Sequence, residues 1–139
     1  MKKVLLSLSA IIILVGAVAF QLLKFKLNES IALQTTRDIK VAQETFKATK
    51  GNGKYGTLND LVDAKLIKAS LYDGIHSGYR FNVKVEDDYF YVTAIPERYG
   101  ATNYWGTGGL SIFVDSTGLE WVGYNKGREK IPDQSIRPR

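Results

Sequence analysis

The chain has 139 residues, 45% of them hydrophobic, with a formal net charge of +5 and no cysteine. That length suits one domain with a modest core and is short for two, and the lack of cysteine excludes disulfides, thiol catalysis and thiolate metal sites. The basic excess lies at the ends, since Leu27–Asn125 holds 10 basic against 12 acidic residues, which argues against a polyanion-binding face and therefore against nucleic acid as a partner.

Lys2 and Lys3 precede an uncharged run from Val4 to Leu23, and Lys24 and Lys26 follow it. Twenty residues at roughly 1.5 Å rise give about 30 Å, the thickness of a hydrocarbon core. Ala17-Val18-Ala19 before Phe20 also has the form of a secretory cleavage site. The apolar run continues through Phe20, Leu22 and Leu23, which favours a retained anchor over a cleaved signal. Both readings place the remainder outside the cytoplasm. A retained anchor makes the protein single-pass, with an extracytoplasmic head.

No Pro or Gly interrupts the chain between Gln21 and Lys50. Leu27, Ile31, Thr35, Ile39, Ala42 and Phe46 recur at steps of four, four, four, three and four, a narrow apolar stripe that continues the helix and needs a partner surface. Ile31, Ile39 and Phe46 are the candidate packing residues of that stripe. Gly51-Asn52-Gly53 ends the helix, because these residues accept a left-handed backbone.

Thr57 to Ile67 reads as a short helix, with Thr57 as N-cap, Asp60 three residues on, and Leu58, Leu61, Val62 and Leu66 as its buried face. From Gly78 the period changes to two. Tyr79, Phe81, Val83 and Val85 alternate against Arg80, Asn82 and Lys84, Glu86-Asp87-Asp88 turns the chain, and Tyr89–Ile95 returns as the paired strand, stopped by Pro96. A loop rich in Gly, Tyr and Asn spans Glu97–Gly109. Leu110–Val114 and Leu119–Tyr124 form a second hairpin across Asp115-Ser116-Thr117-Gly118. The tail from Lys126, with two prolines and further basic residues, reads as unpacked. Three regions follow: 1–26 as transmembrane anchor or signal peptide, 27–125 as an α+β head, and 126–139 as a basic flexible tail.

The order of elements, a long N-terminal helix carrying Glu44-Thr45-Phe46, then Gly51 to Leu58, Gly78 to Val83 and Phe113 to Gly118, resembles the heads of bacterial type IV pilin-like proteins and the pseudopilins of type II secretion. The resemblance covers roughly Glu29–Tyr124. It implies a long membrane-anchoring helix packed on a small antiparallel sheet of about four strands. It also implies a structural role as subunit or accessory of a pilus or secretion pseudopilus, with the membrane, like subunits and the assembly machinery as partners. The chain departs from such pilins at its N-terminus: no Gly-Phe-Thr-Leu-x-Glu run occurs, Gly16-Ala17-Val18 lies inside the apolar span, and the first acidic residue is Glu29.

Chemistry-bearing residues are sparse. His76 is the only histidine, and a catalytic base needs an orienting partner that its neighbours do not supply. Glu86-Asp87-Asp88 lacks the alternating acids and central Gly of an EF-hand loop. Asp115-Ser116-Thr117-Gly118 reads as a turn in which Asp115 accepts from nearby amides. No catalytic, metal, cofactor or small-molecule site is expected. Tyr99, Tyr104 and Trp105, set among glycines, are candidates for a ligand or partner loop, because rings give contact area at low entropic cost. They support an alternative: a secreted or membrane-tethered binding module that forms no filament.

Overall fold

A computed structural model describes residues 2–100 and 106–132, with side chains from residue 9 onward. Helix α1 runs without a break over Lys2–Ala48, 47 residues or about 70 Å. It stops where the glycines predict. The Gly51 N–H donates to the Phe46 carbonyl at 2.7 Å, and Asn52 and Gly53 take φ of 50° and 84°.

Helix α2 covers Leu58–Asp63. Its capping box forms as the sequence suggests: the Asp60 N–H donates to Thr57 Oγ1 at 3.2 Å, and the Thr57 N–H donates to Asp60 Oδ2 at 2.7 Å. The helix is four residues shorter than its apolar pattern, which ran to Ile67. Lys65 adopts φ 59°, its N–H bonds the Val62 carbonyl at 2.8 Å, and the Leu66 N–H bonds the Leu61 carbonyl at 3.0 Å. This pair of bonds closes a helix end. Leu66 remains on the apolar side by folding back rather than by continuing the helix.

Five antiparallel strands follow in meander order: β1 (Ile75–His76), β2 (Tyr79–Glu86), β3 (Tyr89–Pro96), β4 (Leu110–Asp115) and β5 (Glu120–Tyr124). The expected sheet of about four strands gains β1, too short to show an alternation. It pairs with Tyr79 and Arg80 through a two-residue turn in which Ser77 and Gly78 both have positive φ, 48° and 73°. At the β4–β5 turn Asp115 is buried and accepts from the Thr117 N–H at 2.9 Å, the Thr117 hydroxyl at 2.7 Å and the Leu119 N–H at 3.0 Å, so the turn reading of this segment holds.

The strands lie along α1. Gly109, before β4, bonds Glu29 near the middle of the helix. Gly118, after β4, lies against Lys40, and the β2–β3 turn reaches Lys47 near the helix end through Asp88. Between helix and sheet sits the core, with Ala32, Ile39 and Ala42 packed with Phe81, Phe90, Val92, Ala94 and Ile112, closed by Leu61 and Leu71. Ile39 is fully buried, whereas Ile31 and Phe46 are half-buried.

Two expectations are corrected. Leu27, first residue of the proposed stripe, is 59% exposed; a helix repeats every 3.6 residues, and steps of four carry the stripe off the buried face. In the tail, read as unpacked from Lys126, one described residue is held. Glu129 Oε1 accepts from Thr93 Oγ1 at 2.9 Å and Asn82 Nδ2 at 3.2 Å, which ties this segment across the sheet face opposite α1.

Candidate functional site

The lower half of α1 is largely uncovered among the described residues. Nine large apolar side chains between Ile11 and Leu23 are 45–72% exposed, and the segment is long and apolar enough to cross a membrane. At about −0.3 to −0.6 kcal/mol each for the branched and aromatic residues in a bilayer, they favour lipid by roughly 3–5 kcal/mol.

The upper half is seated by buried polar groups. Asn28 Nδ2 donates to the Thr107 carbonyl at 2.9 Å, and the Gly109 N–H donates to Glu29 Oε1 at 3.1 Å. Lys26 pairs with the other Glu29 oxygen at 3.3 Å. A longer contact, 3.5 Å, joins Gln21 Nε2 to the Gly106 carbonyl. One loop, 106–109, therefore takes the helix at the upper end of the apolar run and just above it. Gly108 lies so close to the Tyr79 hydroxyl that no side chain fits. That hydroxyl donates to the Leu110 carbonyl at 3.0 Å, and burial, then the Glu29 charge, pushes its pKa up.

Higher on α1, Gln43 is fully buried. Its amide donates to the Gly56 carbonyl at 2.6 Å and accepts from the Gly56 N–H at 3.0 Å, meeting both backbone groups of a buried loop residue. At the rim, Arg37 forms a two-pronged pair with Glu120, at 3.0 and 2.7 Å. The guanidinium hydrogen bond holds the Glu120 carboxyl below its usual value. Lys47 bonds Asp88 and covers the Tyr55 ring at 4.3 Å from the centroid.

An apolar stripe alone misses these anchors. Glu29, Thr36 and Gln43 stand seven residues apart, two helical turns, and all three are buried. Their common spacing with Ile39 on one face was the available signal.

The remaining candidates separate. Tyr99 is 38% exposed and makes an isolated parallel bridge to Gly108; Tyr104 and Trp105 lie outside the described residues. His76 Nδ1 is 3.4 Å from Ser70 Oγ, and no carboxylate bonds it among the described residues. No group of three or more His, Asp or Glu close enough to hold a metal ion occurs among the described residues. A groove of about 520 Å³ separates α1 from residues 65–71.

No protein-family model, curated protein or solved structure matches this chain. The functional reading therefore rests on the geometry: an apolar rod, a clamped head and a polar seat between them.

Proposed function

We propose that this protein is a structural, single-pass membrane protein of pilin-like type, a subunit or accessory of a type IV pilus or type II secretion pseudopilus, with its head on the periplasmic side of the inner membrane. One observation carries the reading: a single helix changes from mostly exposed and apolar to clamped and core-forming within a few residues, between Leu23 and Asn28. In water that lower half would be an aggregation hazard. In lipid it is an anchor, and Lys24 and Lys26 fall at the headgroup level.

The role of the site is mechanical: to hold the head at a fixed height and orientation above the membrane. Among residues 9–28 there is no acidic side chain, and Glu29 is spent on the Gly109 amide and Lys26 within its own chain. Register between copies must then come from apolar packing and from the heads, not from a carboxylate in lipid.

Carbonate extraction of membranes, joined to the intact mass of the purified chain, tests the reading. Retention in the membrane with Met1 or a methylated internal residue at the N-terminus supports it. Release as a soluble domain beginning at Phe20 overturns it in favour of a secreted binding module.

A further inference from the structure

Each edge of the sheet offers unused backbone groups. At one edge, the Phe81 N–H donates to the Gly74 carbonyl at 2.7 Å, on the side away from β3. Strand alternation puts the amides of Val83 and Val85 on that same edge, beyond the reach of β1, which pairs only with Tyr79 and Arg80. At the other edge, the Asp115 N–H bonds the Leu119 carbonyl at 3.1 Å. Leu119, Trp121 and Gly123 therefore face β4, and Glu120, Val122 and Tyr124 turn their amides outward. None of these outward groups is hydrogen-bonded among the described residues. Neither stretch contains a proline, and on β5 Val122 and Tyr124 are 38% and 64% exposed. Natural edges are usually blunted by such residues, by bulges or by a covering element.

We propose that copies of this chain join edge to edge, β5 of one against β2 of the next, extending one antiparallel sheet parallel to the membrane surface. The inference rests on the membrane-anchored reading, which fixes how copies face. Their α1 axes stand side by side, and the strands lie along α1, so β2 runs away from the membrane and β5 runs toward it. Between copies held this way up, β5 on β2 is antiparallel, like every pair in this sheet, whereas β5 on β5 or β2 on β2 would be parallel. Side chains agree as well. Val122 opposite Val83 sets Glu120 against Val85 on the helix side and Trp121 beside Lys84 on the far side, where a cation meets a ring. A shift of two residues would set Glu120 against Asp87, like against like. Pairing ends at Val122, since Gly74 already occupies the Phe81 amide. Because the two edges differ, the contact is heterologous and propagates rather than closing as a dimer.

The natural absence of cysteine allows a direct test in membranes, on the full chain carrying Val83→Cys and Val122→Cys, with a short bismaleimide as probe. The two positions within one copy are three strand spacings apart, about 14 Å, too far for that linker. The expected result is a ladder of dimers, trimers and larger species, with each single variant remaining monomeric. Adding Val85→Pro, which removes an outward N–H and trims a half-buried side chain at the edge of the core, abolishes the ladder while leaving the chain in the membrane. Dimers from Val122→Cys alone, or no ladder from chain that resists carbonate extraction, would overturn edge pairing and leave the anchor reading standing. Chain found in the soluble fraction removes the common orientation and overturns both.

Discussion

The two halves of α1 belong to one uninterrupted helix, yet different surroundings hold them. Below Leu23 the described side chains are mostly apolar and mostly exposed; above Leu27 one face is buried, and much of what is buried is polar. Asn28, Glu29 and Gln43 each meet backbone groups of the head, so the upper half is fixed by direction-specific bonds as well as by apolar packing. On the membrane-anchored reading the lower half needs no such bonds, because lipid asks only that a helix satisfy its own backbone. Anchoring is thus tolerant of sequence, and seating is not.

Mutations on either side of the boundary should separate these functions. Ile39→Ala empties a fully buried site and should cost about 3.5 kcal/mol of head stability, seen as a lower thermal midpoint with membrane retention unchanged. Ile13→Arg should do the reverse: about 3 kcal/mol against insertion, read as chain in the carbonate supernatant with an intact head. If both variants lost both properties, the halves would not be independent.

Gln43→Leu keeps the bulk but strips the Gly56 N–H and carbonyl of their partner, at about 2 kcal/mol. Chemical denaturation should show that loss, and Gln34→Leu, on the exposed face, should show almost none. The smallest effect is expected for Arg37→Gln, because the pair is at the surface and screened by water. Glu120 has a depressed pKa when folded. Its contribution is therefore present above the ordinary carboxylate value, near 4.5, and is lost as pH falls through the lower folded value. The variant should lose that small pH dependence, and salt should mask it in the parent chain.

Much of the architecture was legible from periodicity. The unbroken α1, the capping box at Thr57 and Asp60, the two hairpins and the Asp115 turn all follow from local rules of spacing and turn chemistry. Three features escaped for identifiable reasons. Strand β1 has two residues, fewer than any alternation needs. Helix α2 ends early because Lys65, an ordinary residue, takes a left-handed conformation that its identity does not announce. The seat of the helix was missed because its residues are polar: a search for apolar steps followed Leu27 and Ile31 off the face, while Glu29, Thr36 and Gln43 marked it. The Glu129 contacts with Thr93 and Asn82 depend on pairings across more than 35 residues, which no local pattern reveals.

A cysteine scan along α1 in the native membrane, read by a membrane-impermeant maleimide, tests the central claim most directly. The chain has no thiol of its own, so each site reports alone. Substitutions at Ile12, Leu14 and Phe20 should stay unlabelled although these side chains are 66–69% exposed on the protein, and substitutions at Ser30, Gln34 and Val41 should label readily. Equal labelling of both sets would contradict a helix divided between lipid and the head.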